Sequence, residues 1–140
     1  MIPFWTKGKP GKQPINAMSE TVASKPMFRD PFQRRRCLIP ADGFYEPKGP
    51  KTQKHRQPYF FRRPDDEVFA FAGLWDRWTS PEGEVIETCV LLTVGPNDLL
   101  RSIHDRMPVI LDPAHYDRWL DRDVPGAAVA DLLQIGRAHV

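Results

Sequence analysis

The sequence predicts an α+β fold dominated by antiparallel β-strands, and three observations carry that reading. Aromatic and β-branched runs crowd the middle of the chain: "PYFFR" (58–62), "EVFAFAGLWDRW" (67–78) and "EVIETCVLLTV" (84–94). The strings between them, "RPDD" and "TSPEG", carry good turn chemistry. Fifteen prolines punctuate the chain and leave little room for long helices. A length of 140 residues suits one hydrophobic core, and no internal repeat or linker divides it, so a single domain is expected over 1–134.

Taken in order, residues 1–17 read as loop, because "KGKPGKQP" has no hydrophobic period. Ser19-Glu20-Thr21 predicts the start of a short helix, and 25–35 a second one with Phe28 and Phe32 on one face. Pro31 falls inside that pattern and predicts a kink or a break. "CLIP" and "GFYEP" read as strands flanking an Asp42-Gly43 turn. "PAHYDRWL" reads as a short helix with proline in its first turn. The last six residues, "IGRAHV", match one frame of a sequencing-library adapter when read back into codons. Residues 135–140 are therefore expected to be a non-native tail.

Composition narrows the function classes. Hydrophobic content of 41% with 27% charged residues excludes general disorder. The net charge of +2 says little about partners, but Lys7, Lys9, Lys12, Lys25, Arg29, Arg34, Arg35 and Arg36 crowd the first quarter. That asymmetry is compatible with a polyanion, although the "RRR" run reads by default as a solvated face. Cys37 and Cys89 form no disulfide framework and read as buried free thiols of a reducing compartment. No membrane-length apolar stretch or signal-peptide core is present, so a cytoplasmic location is expected. The four histidines lack ligand spacing and cysteine pairs, so neither a metal nor another cofactor is expected.

Four polar residues stand at the edges of apolar runs. Glu46 follows Phe44 and Tyr45, and an acid beside aromatics tends toward a raised pKa. His104 exchanges a proton near neutral pH without special help. Arg106, two residues on, suits a phosphate, and Asn16 suits positioning by hydrogen bonds. Taken singly, each such residue belongs more often to a structural network than to a catalytic site.

The strings say more than their spacing does. "INAMSETV", "KPMFRDPFQRRRCLIPADGFYEP", "FAFAGLWDRW", "CVLLTVGPNDLLRSIHDRMPVIL" and "YDRWL" together closely resemble the SOS-response-associated peptidase (SRAP) family, in the family's order. The resemblance implies a barrel-like fold and a role in the DNA-damage response. Its members bind abasic sites in single-stranded DNA and join to them covalently. The nucleophile is a cysteine at position two, exposed by self-processing of the initiator methionine. Its amine forms a Schiff base with the ring-opened sugar, and its thiol closes a thiazolidine. Peptidase and lyase chemistry are both implied, along with a monomeric, nucleoid-associated bacterial protein.

Carried over residue by residue, Glu46 matches the catalytic glutamate, His104 the active-site histidine and Asn16 the asparagine that orients the cysteine. Arg106 matches a phosphate-binding arginine, and Trp5 in "IPFW" looks like the aromatic lining the DNA channel. Met18 stands where the family usually has arginine, and Pro47 where it usually has tryptophan. The start "MIPFW" corresponds to a point well inside a family member, and Ile2 occupies position two, so the chain is expected to lack the nucleophile and the family's last strands. One alternative is a noncovalent single-stranded DNA-binding module relying on phosphate neutralisation and stacking. A cysteine peptidase using Cys37 or Cys89 with His104 is a weaker one, since neither thiol has evident activation.

Overall fold

The computed structural model describes residues 1–135. In chain order its elements are β1 (Asn16–Met18), α1 (Arg29–Arg34), β2 (Arg36–Ala41), β3 (Phe44–Lys48), β4 (Gln57–Phe61), β5 (Phe69–Thr79), β6 (Val85–Val94), β7 (Met107–Pro108), β8 (Ile110–Leu111), α2 (Tyr116–Leu120) and α3 (Leu132–Ile135). Short 3₁₀ turns at Pro113–His115 and Gly126–Val129 flank α2 on its two sides. The main sheet runs β1-β6-β5-β2, and β3 with β4 forms a separate hairpin.

β5 and β6 form the spine. Residues 69–74 of β5 are buried on both faces, whereas Trp75 onward alternates, which explains why its first half reads as an unbroken apolar run. Gly73 is required there, because a Cβ would come within 2.9 Å of the Cys37 sulfur and 2.8 Å of Ile39 on β2. Before Gly73 in β5, and after Leu91 in β6, the two spine strands splay, and residues 107–111 wedge between them. β7 pairs with the end of β6 and β8 with the start of β5, while Val109 bonds both, donating to Leu92 O and accepting from Ala72 N. The short run behind His104 therefore closes the sheet at its open end.

Two apolar clusters result. The larger gathers Trp119, Phe32, Leu74, Leu92, Leu100 and Met107 among others between the sheet and the helices. The smaller, Phe69, Phe71 and Ile110 with Phe44 and Leu91 packed against it, floors the site described below.

Several elements differ from their sequence expectations. The segment 1–17 is not all loop. Met1, Ile2 and Ala17 are buried, and β1 pairs parallel with β6, a three-residue strand too short to show a period. Residues 19–24 form turns, with Thr21 N–H donating to Met18 O, rather than the start of a helix. Pro31 neither kinks nor breaks a helix, because α1 begins only at Arg29 and proline in a first turn lacks no intrahelical partner. Cys37 is half-buried and Cys89 exposed, not buried, since Cys89 falls on the alternating half of β6.

Of the "RRR" run, expected as a solvated face, only Arg34 is exposed. Arg36 is buried, and its guanidinium donates to five carbonyls: Phe32, Gln33, Trp119, Asp121 and Val124. It thereby satisfies the free C-terminal carbonyls of α1 and α2 together. The expected tail at 135–140 lies outside the described residues, apart from Ile135, which closes α3.

Candidate active site

A cavity of about 210 Å³ opens on the Phe71 face of the sheet. Phe44, Phe71, Leu91 and Pro108 give it an apolar lining, and Asn16, Glu46, Thr93, His104 and Arg106 contribute polar groups. Pockets for drug-sized ligands run to about 300–1,000 Å³, so this one has room for a group as small as a single sugar.

Each polar residue is placed by a nameable local cause. In β3, alternation puts Phe44 and Glu46 on the same face. Phe44 is locked between Phe61, stacked at 5.3 Å, and Phe71, edge-on at 5.8 Å, and this fixes the hairpin over the cavity. Glu46 then reaches the mouth. Burial pushes its carboxyl above the ordinary glutamate value; His104 opposes that shift, Asp105 adds to it and Arg56 opposes it.

His104 ends a helical turn. Asn97 Oδ1 accepts from Leu100 N–H, and His104 N–H donates to the carbonyl of the fully buried Leu100. Its Nδ1 lies 3.1 Å from the backbone N–H of Arg106 and 3.2 Å from Asp105 Oδ1. Nδ1 also lies 3.1 Å from the Arg106 carbonyl, so it either accepts from the Arg106 N–H or donates to that carbonyl, while Nε2 faces Glu46 Oε2 at 3.8 Å. That separation exceeds a direct hydrogen bond. His104 and Arg106 lie in the loop before β7 and not on the strand itself, which begins at Met107.

Asn16 lines the cavity from β1, brought there by the parallel pairing of Asn16 with Leu91. Arg106 lines it too, but its guanidinium is already engaged. It donates twice to Glu20, at 2.9 and 2.8 Å, and to the carbonyl and hydroxyl oxygens of Thr93. Arg106 in turn holds the Glu20 carboxyl below its ordinary pKa. In the sequence Glu20 reads only as part of a helix start, because a partner so distant along the chain leaves no local signal.

The structure does not bring Trp5 into this cavity: it is half-exposed and follows Phe4, which borders a separate cleft with Arg35, Trp75 and Asp76. That cleft continues into a larger one of about 960 Å³ holding none of the candidate residues. Its central cation, Arg35, is paired with Asp30 at 2.6 Å and Asp76 at 3.2 Å, which marks it as structural. Burial drives the Cys37 thiol up to about 12, so it supplies no thiolate at neutral pH, which leaves a Cys37 peptidase without a nucleophile. Among the described residues, no group of three His, Cys, Asp or Glu side chains gathers to hold a metal, and no helix is long and apolar enough to cross a membrane.

Residues 1–139 match the family described as SOS response associated peptidase (SRAP). "Abasic site processing protein YoqW" of Bacillus subtilis is 46% identical over 124 residues, covering 86% of this chain and 54% of that protein. "Abasic site processing protein YoaM" of the same organism is 43% identical over 135 residues, covering 96% of this chain and 58% of its own length. A crystal structure of a protein from Bacteroides thetaiotaomicron superposes with a TM-score of 0.84 at 31% identity, covering 95% of this chain and 60% of the other. The chain thus spans little more than half the length of the relatives it matches.

Proposed function

Because the chain belongs to the SOS response associated peptidase family, we propose that its Glu46–His104 cavity processes abasic sites in DNA. The observation that carries the reading is one pairing: a carboxyl with raised pKa facing His104 across the mouth of a sugar-sized apolar cavity. Relatives named as abasic site processing proteins support the substrate class.

The chemistry follows from the groups present. An abasic deoxyribose is a closed hemiacetal, and exposing its aldehyde requires a proton on the ring oxygen and loss of one from the anomeric hydroxyl. A carboxyl of raised pKa is suited to the first transfer, and histidine to the second. An amine then adds to the aldehyde and expels water, giving an imine. A thiol on the neighbouring carbon adds to the imine carbon and closes a thiazolidine, so one water leaves overall. In the reading proposed for a family member, a cysteine at position two brings amine and thiol, and Asn16 orients it. A cavity this small favours single-stranded DNA, where the sugar is presented without the cost of unpairing.

The test uses free cysteine as the aminothiol. The chain, an abasic single-stranded oligonucleotide and cysteine are mixed, and thiazolidine formation on the oligonucleotide is followed by mass spectrometry. The chain should accelerate the reaction over cysteine alone. Tight binding without acceleration would instead favour a noncovalent single-stranded DNA-binding module.

A further inference from the structure

We propose that the β3–β4 connection is a phosphate anchor, in which Arg56 and Lys51 grip the DNA backbone linkage next to the damaged nucleotide. This deepens the reading above and rests on it. Residues 48–57, "KGPKTQKHRQ", hold Lys48, Lys51, Lys54, His55 and Arg56 without a single acid. A second cavity of about 360 Å³ lies beneath this segment, lined by Gly49, Lys51, Arg56, Ile103, His104 and Asp105. His104 is the wall common to both cavities. A strand that seats one sugar on the Glu46 side of the ring thus brings its next linkage to the Arg56 side.

The loop is shaped for this. Gly49 adopts a φ of +110°, and a Cβ there would lie 2.7 Å from the Gln53 side chain. Gln53 also donates from its backbone to Pro50 O and from its amide to His55 O, which folds the loop onto itself. The charges are available as well. Among the described residues no carboxylate pairs with Lys51 or Arg56, whereas four of the five N–H groups of Arg106 are already occupied. Asp105 is the one acid in the wall, lying 3.2 Å from His104 Nδ1, so two cations face one carboxylate. Arg56 is close enough to pull on the Glu46 carboxyl, so a phosphate bound there would couple to the acid–base pair.

The experiment titrates salt against binding of the full chain to a labelled, undamaged decathymidylate. Arg56→Gln with Lys51→Gln should reduce the slope of log K against log salt by about 1.4, at roughly 0.7 per single-strand phosphate contact. Lys54→Gln, on the same loop outside the cavity lining, should leave the slope unchanged. An oligonucleotide with one neutral methylphosphonate linkage beside an abasic site should bind the wild type more weakly, with that loss absent in Arg56→Gln. An unchanged slope in the double variant, an equal loss from Lys54→Gln, or the same methylphosphonate penalty in both proteins would overturn the proposal. Because undamaged DNA needs no acid–base step, failure of the abasic chemistry leaves this readout unaffected, and the two ideas fail separately.

Discussion

His104 Nε2 stands 3.8 Å from Glu46 Oε2, although the two reach that point from a hairpin outside the main sheet and from the loop ahead of β7. Phe44, packed between Phe61 and Phe71, holds the first, and the turn anchored on Leu100 holds the second. The pair depends on the smaller apolar cluster, so substitutions at Phe44 should alter the chemistry without touching a reacting group.

The first prediction concerns the 140-residue chain without an added aminothiol. Its terminal amine belongs to Met1, and the backbone nitrogens of Cys37 and Cys89 are amides. An imine formed by a lysine or by the terminal amine has no thiol on the adjacent carbon with which to close a five-membered ring; Cys89 lies near the Met1 amine in space but not along the chain, so the imine hydrolyses. A denaturing gel run without reductant after incubation with an abasic oligonucleotide should show no shifted band. A stable band would mean that the nucleophile is elsewhere.

The second concerns pH. The folded state raises the Glu46 pKa above its unfolded value, chiefly through burial. The folded chain therefore binds more protons than the unfolded chain between those two values, and stability falls as pH rises through that window. Glu46→Gln removes the cost of a buried charge. Its Tm should exceed that of wild type at pH 8, with the difference closing as pH drops below the ordinary glutamate range. A difference independent of pH would reject burial of the carboxylate as the cause.

The third separates Arg106 from its partner. Glu20 neutralises Arg106 in the DNA-free fold and stays ionised at neutral pH, since Arg106 lowers its pKa. Arg106→Ala should weaken binding to single strands of any sequence, because phosphate carries no base identity. Glu20→Gln should tighten binding, because Arg106 then takes a phosphate without first leaving a carboxylate. A salt slope in Arg106→Ala equal to wild type, where a loss of about 0.7 is expected, would show that Arg106 takes no phosphate.

The fourth is structural. Arg36 serves five carbonyls, and lysine offers three donors from one point. Arg36→Lys strands buried acceptors at the ends of α1 and α2 and should cost about 2–4 kcal/mol in urea unfolding. A loss within 0.5 kcal/mol, the scale of about what surface changes produce, would place this side chain outside the core network.

What the sequence made legible tracks the range of the forces involved. Strands β5 and β6 are readable because burial repeats along them, β4 through its aromatic string although only Phe61 is buried, and α2 because the proline turn that opens onto it is local. The parallel pairing of Asn16 with Leu91 and the salt bridge from Glu20 to Arg106 left no such trace, since each joins residues far apart in the chain. Arg36 misled for the same reason: its charge is local, whereas Trp119, Asp121 and Val124, whose carbonyls bury it, are not. Glu46, His104, Asn16 and Arg106 were all named from their strings and share one cavity, whereas Trp5 lies outside it. Lys51 and Arg56 belong to no string that the sequence singles out, and the cavity beside His104 gives them a place.

Whether Glu46 moves a proton at an abasic sugar is decided by one rate comparison. Thiazolidine formation between free cysteine and an abasic single-stranded oligonucleotide is measured with saturating wild-type chain and with Glu46→Gln. Glutamine keeps the shape but carries no exchangeable acid, so the catalysed rate should fall by roughly 10²–10⁴-fold, toward that of cysteine alone, while DNA affinity is retained. Equal acceleration by the two proteins would contradict the account and remove Glu46 from the chemistry.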